Sequence, residues 1–150
     1  VIVDASVILS AFFPEEHQAQ AQALIRHHLS GQVCLVAPTL LIYEVTNGVL
    51  QAIRRQRVTD QEGEALLASV KYLSISLEPV EGARVLHLAR RFDRSAYDAA
   101  YLALAEARQE PLITGDLRLY RAVHTHLEWV QWIGDSAPVD NALSHKETTL

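Results

Sequence analysis

Residues 95–116, SAYDAAYLALAEARQEPLITGD, form a helix-to-strand unit with an acid near its start and another at its end. Ser95 followed by Asp98 reads as an N-terminal cap, the hydroxyl taking an orphan amide while the acid faces the positive helix end. Tyr97, Ala100, Tyr101, Leu104 and Ala105 then recur at helical spacing, and the small Ala99 and Ala103 would let another element approach closely, which predicts a buried central helix. Gln109, Glu110 and Pro111 break it, and Leu112 to Thr114 follow as a short apolar strand. Gly115 and Asp116 end that strand where the next helix begins. Asp116 is thereby assigned to a strand's carboxyl end, the edge at which open parallel sheets gather their ligand-binding loops.

The same arrangement opens the chain. Val1 to Val3 is a β-branched apolar run, read as a buried strand that delivers Asp4 at its carboxyl end, with Ser6 opening a helix. For either Asp alone, a plain helix cap explains the position equally well. Between these units the pattern predicts helices over VILSAFF and from about Glu15 to Leu29, then a strand at Val33–Val36. A long helix, TLLIYEVTNGVLQAIRRQ, follows Pro38. Glu44 stands out there among Leu41, Ile42, Tyr43 and Val45; it must look through a gap in the core or reach the strand edge beside Asp4. Thr59 and Glu62 form a capping box for a helix to about Tyr72. Leu73–Leu77 is strand-like, and Val85, Leu86, Leu88 and Ala89 give the next helix an apolar face. Leu117 to about Leu127 is helical and WVQWI is a last strand. Strands alternating with helices predict an α/β fold, a three-layer α/β/α sandwich with a central, mainly parallel sheet. One domain spans residues 1–134, and residues 135–150 read as a loose tail.

Four carboxylates converging on one pocket repel one another unless some stay neutral or a divalent cation compensates them. With Cys34 alone and no paired His beside a Glu, the donor set is all oxygen and suits Mg²⁺ or Mn²⁺ rather than Zn²⁺. Such ions keep waters and take phosphate oxygens, which outlines a site for phosphodiester hydrolysis.

VIVDAS, LLIYEVTNGV, SAYDAAYLALA and LITGD, in this order and spacing, resemble the PIN-domain family, most closely the VapC-like toxins of toxin–antitoxin pairs. The resemblance covers about Val1 to Ile133. It implies a Mg²⁺- or Mn²⁺-dependent endoribonuclease acting on structured RNA such as tRNA or rRNA, silenced by a cognate antitoxin and forming a homodimer. By that resemblance Asp4, Glu44, Asp98 and Asp116 match the family's acidic quartet, and Ser6, Asn47 and Thr114 its frequent polar neighbours. Asp4, Asp98 and Asp116 would hold the metal directly or through water, and Glu44 would bind it or orient the attacking water. Leu117, Arg118 and Leu119 stand where some members carry a further acid, which puts a second metal position in doubt.

The net charge of −5 runs against a nucleic-acid partner, but subtracting four carboxylates neutralised by metal from −5 leaves −1. Eleven of the thirteen basic residues are Arg, whose planar fork suits phosphate. Arg54, Arg55 and Arg57 form one candidate RNA-binding cluster and Arg90, Arg91 and Arg94 another; solvated helix ends explain either about as well. A lone cysteine, no apolar run of spanning length and no secretory pattern point to a cytoplasmic protein with no membrane partner. The rival reading is a catalytically silent module of the same fold that binds RNA or protein. A receiver-type phosphoryl acceptor lacks the Lys it would need near the last strand, since only Lys71 and Lys146 are present.

Overall fold

The computed structural model describes residues 1–136. The expected tail therefore lies outside the described residues apart from Asp135 and Ser136. Five strands, β1 (Ile2–Val3), β2 (Val36–Pro38), β3 (Ser76–Glu78), β4 (Leu112–Thr114) and β5 (Val130–Trp132), pair in the order β3-β2-β1-β4-β5, and every pairing is parallel. Seven helices connect them: α1 (Ala5–Phe12), α2 (Gln18–Leu29), α3 (Leu41–Arg54), α4 (Asp60–Tyr72), α5 (Gly82–Phe92), α6 (Ala96–Arg108) and α7 (Leu117–Val123). Helix α6 lies across β1, β2 and β4 with α5 against it; α1 packs on β4 and carries α2 and α3, and α7 packs on β4 and β5. This is the expected three-layer sandwich.

The strand order places the site. Winding proceeds from β1 outward through β2 to β3, then reverses to β4 and β5, so the switch point falls between β1 and β4. The residue after β1 is Asp4 and the second residue after β4 is Asp116. Loops leaving adjacent parallel strands in opposite senses open a crevice there, and these two acids stand on either side of it.

Helix α6 is central because seven consecutive residues, Ala99 to Ala105, are buried. Four of them are alanines, Ala99, Ala100, Ala103 and Ala105, so small side chains bring the helix close to the sheet around the single aromatic Tyr101. Tyr97, expected on the buried stripe, is instead exposed. The second strand also sits three residues later than expected. Just before β2 a side chain takes the Leu35 amide: Leu35 N–H donates to His28 Nδ1 at 3.2 Å, and His28 Nε2 bonds Leu73 O at 2.7 Å. With Nδ1 accepting, Nε2 is placed to donate, and the His28 ring clamps the two segments together. Helix α2 begins late, at Gln18, because His17 adopts a left-handed backbone (φ 65°) without capping it. Helix α7 ends at Val123 rather than near Leu127, and β3 starts at Ser76. Leu86, expected on the apolar face of α5, points outward, while Val85 and Leu88 are buried.

Close packing under α6 predicts that Ala99→Leu destabilises the protein by about 1–3 kcal/mol. Leu29→Ala, at an exposed helix end, should change stability by less than about 0.5 kcal/mol. Urea unfolding measures both; equal effects would contradict the packing described here.

Candidate active site

Asp4 is 6% exposed, and both of its carboxylate oxygens accept hydrogen bonds. Oδ1 accepts the Val7 amide at 3.3 Å, which caps α1, and also the Ser6 hydroxyl; Oδ2 accepts the Thr114 hydroxyl. Each hydroxyl accepts in turn from the loop after β4: Gly115 N–H donates to Ser6 Oγ at 2.8 Å and Asp116 N–H to Thr114 Oγ1 at 2.9 Å. A hydroxyl has one proton to give, and both are given to Asp4. The two loops at the switch point are thereby tied together through one carboxylate. Gly115 permits the approach, since a Cβ there would stand 3.2 Å from Ser6 Oγ.

Asp116 caps α7 with a single oxygen, Oδ1, which accepts from Arg118 N–H at 2.9 Å and Leu119 N–H at 3.2 Å. The choice between cap and site residue dissolves here, because capping occupies one oxygen of the carboxylate. Glu44 lies in the first turn of α3 and accepts the Tyr101 hydroxyl on Oε2 at 2.6 Å. It has taken the second of the two courses open to it, reaching the strand edge. Asp98 lies in the first turn of α6, whose cap is Ser95 Oγ accepting Asp98 N–H at 3.0 Å. All four acids line one open cavity of about 720 Å³, together with Ser6, Asn47, Leu9, Leu40, Gly48, Tyr43, Tyr97 and Tyr101. Thr114 is wholly buried beneath its floor.

Burial is the main cause that pushes Asp4 up to about 6 from its ordinary 3.8, against the pull of its three hydrogen bonds, with the charge of Asp116 adding to the rise. Glu44 is raised by burial and then by Asp98 and Asp116, while Tyr101 opposes. Asp98 is raised by burial and by Asp116, while Arg94 and Ser95 oppose. The negative charge of Asp116 thus raises all three other acids. Tyr101 is raised by burial and by Glu44, so its hydroxyl keeps the proton it donates.

Among the described residues no three Asp, Glu, His or Cys side chains converge closely enough to enclose a metal ion by themselves. Mg²⁺ does not need such a cage: it takes one or two carboxylates and keeps several waters. An all-oxygen, mutually repelling quartet on an open cavity fits an ion of that kind.

Of the expected arginines, Arg94 acts on the site through Asp98. Arg57 pairs with Glu15 at 3.2 Å and lies over the Phe13 ring, and Arg91 lies over Phe92. Arg54, Arg55 and Arg90 are exposed. Asn47 lines the cavity, as its spacing from Glu44 suggests. Tyr101 was read only as part of an apolar stripe, yet it is the direct partner of Glu44.

An acid raised in the folded state keeps its proton to higher pH than in the unfolded chain, so metal-free stability from Asp4 falls as pH rises from about 4 to about 6. Asp4→Asn removes that loss. Urea unfolding in chelator is predicted to show the variant gaining on the wild type across this window, by at most about 3 kcal/mol above pH 6. A difference that does not change with pH would mean that Asp4 titrates normally.

The PIN domain family model matches residues 1–124. The chain is 34% identical over 119 residues to Ribonuclease VapC9 of Mycobacterium tuberculosis (strain ATCC 25618 / H37Rv), covering 79% of this chain and 87% of the relative. It is 32% identical over 123 residues to Ribonuclease VapC3 of Pyrobaculum aerophilum, covering 79% of this chain and 91% of the relative. Among solved structures, that of PAE2754 from Pyrobaculum aerophilum superposes with a TM-score of 0.69 at 25% identity, over 89% of this chain and 90% of that one. The expected resemblance is correct: the chain belongs to the PIN domain family and, within it, to the VapC-like group.

Proposed function

We propose that this protein is a Mg²⁺- or Mn²⁺-dependent endoribonuclease that hydrolyses phosphodiester bonds in structured RNA, tRNA or rRNA, as the toxin of a VapBC-type pair. The observation that carries the reading is the arrival of four carboxylates, from four separate elements, on one open cavity at the sheet's switch point. The ribonuclease names of the VapC relatives support the reaction class. A cognate antitoxin is the expected inhibitor, the cytoplasm the expected compartment, and the outward-facing Leu86 on α5 a place where a second copy would bind. No helix of the described residues is long and apolar enough to cross a membrane.

Asp4, Asp98 and Asp116 would hold the ion, directly or through water, which the open cavity leaves room for. When bound, such an ion polarises the phosphate and lowers the pKa of a water that attacks in line. Ser6 and Thr114 fix the Asp4 carboxylate, so it meets the ion without reorganising. Tyr101 fills Oε2 of Glu44 and leaves Oε1 to orient a water and accept its proton; burial, by raising Glu44, favours that acceptance. Asn47 is placed to hydrogen-bond a ligand oxygen at the cavity wall. Arg54, Arg55, Arg57, Arg90, Arg91 and Arg94 would supply phosphate contacts, with Arg94 nearest the chemistry.

Purified protein incubated with total RNA is expected to cut at discrete sites in Mg²⁺ or Mn²⁺ and to stop in excess chelator. Asp4→Asn should lower the rate by at least about 100-fold, as loss of a catalytic group commonly does. Mn²⁺ should raise the melting temperature of the wild type and not of the variant. Unchanged cutting by Asp4→Asn would remove that residue from the mechanism, and absence of any metal effect would favour a catalytically silent binding module. Arg94→Ala should weaken RNA binding and reduce the slope of log affinity against log salt by about 1.

A further inference from the structure

Two large aromatic side chains on the cavity rim are spent on neither packing nor polar bonding. Tyr43 is 78% exposed and Tyr97 is 65% exposed. Both line the cavity, and each directly precedes one of its acids, Tyr43 before Glu44 on α3 and Tyr97 before Asp98 on α6. Among the described residues neither has a hydrogen-bond, ion-pair or ring partner. An exposed tyrosine is unremarkable singly. Two of them, in the first turns of two different helices that the Tyr101–Glu44 bond joins across one cavity, form an arrangement that fold stability does not require.

Their surroundings indicate what they receive. The acids and an ion engage only the phosphate of a bound nucleotide, and a cavity of about 720 Å³ exceeds that need. Beside the polar Ser6 and Asn47 the wall has an apolar part, Leu9, Leu40 and Gly48, the last admitting the Leu9 side chain into the space a Cβ would fill. Every nucleobase has a flat π-face that stacks on such rings, with little regard to sequence. A base can do so only when its own helix does not already stack and pair it.

Building on the ribonuclease reading, we infer that Tyr43 and Tyr97 are stacking platforms for the bases flanking the scissile phosphate. Stacking of this kind requires those two bases to be unpaired. Arg94 and its neighbours grip the backbone, and the two rings select its local conformation. This makes the tyrosines positioning and specificity residues, and leaves the chemistry to the acids.

The test uses the full chain, Mn²⁺ and one RNA oligonucleotide containing a mapped cut site, presented unpaired or annealed to its complement. The wild type should cut the unpaired form, with annealing strongly protective. Tyr43→Ala and Tyr97→Ala should each lower kcat/KM on the unpaired form about tenfold or more, mainly through KM. Tyr→Phe at either position should restore it, since stacking needs the ring and not the hydroxyl. The salt slope of KM should stay that of the wild type in all four variants. Tyr72→Ala, equally aromatic and 83% exposed but off the cavity, should have no effect. Tyr43→Ala and Tyr97→Ala cutting like the wild type, or a wild type that cuts paired and unpaired RNA alike, would overturn the inference while leaving the nuclease reading intact. A wild type that cuts no RNA would overturn both.

Discussion

Asp4 occupies the point at which the two halves of the sheet are joined. Its carboxylate follows β1, takes the hydroxyls of Ser6 and Thr114, and through them holds the amides of Gly115 and Asp116 after β4. An ionised group so deeply buried carries a desolvation cost that these hydrogen bonds only partly offset, as its elevated titration shows. The geometry nevertheless keeps it there, because the switch point lies between β1 and β4 and nowhere else in the strand order. Asp116 faces it across the crevice, and α3 and α6 bring Glu44 and Asp98 with their first turns. The architecture is arranged around a concentration of negative charge that the polypeptide alone does not neutralise.

On the proposed reading, that arrangement exchanges stability for chemistry. Glu44, Asp98 and Asp4 are all raised by burial and by the charge of Asp116, and Arg94 is the cation that opposes this at Asp98. A site meant only to hold the fold would place such charges apart or pair them with arginine, as Arg84 and Glu106 are paired elsewhere on α5 and α6. Tyr101 shows how the compromise is managed: buried among alanines against the sheet, it contributes packing through its ring and orders Glu44 through its hydroxyl.

Much of this was readable in the chain because two signals coincide at the acids. A β-branched or apolar triplet ending in Asp, followed at once by helix-forming residues, marks both a strand's carboxyl edge and a cap, and the structure uses both. The family resemblance tied the four segments into one set. What escaped depended on contacts between distant segments. The Leu35 amide just before β2 goes to the imidazole of His28, which no local pattern reveals. Tyr97 falls at helical spacing with buried residues but lies in the first turn, beyond the sheet's cover, so its ring faces out. Tyr101 left one usable trace, a phenol on a buried helix face three residues from an acid, whose hydroxyl had to find a partner. The arginines sit at helix ends, where Arg57 turns to Phe13 and Glu15 and Arg91 to Phe92, so sequence spacing says little about which of them reaches the site.

The claim beneath all of this is that the four carboxylates form one binding place for a hard dication. Anomalous diffraction from crystals soaked in Mn²⁺ tests it most directly. The account predicts a peak in the cavity within about 2.5 Å of a carboxylate oxygen of Asp4, Asp98 or Asp116, with the others reached through water. Well-ordered crystals showing no peak there, or Mn²⁺ bound only at a distant surface, would contradict it.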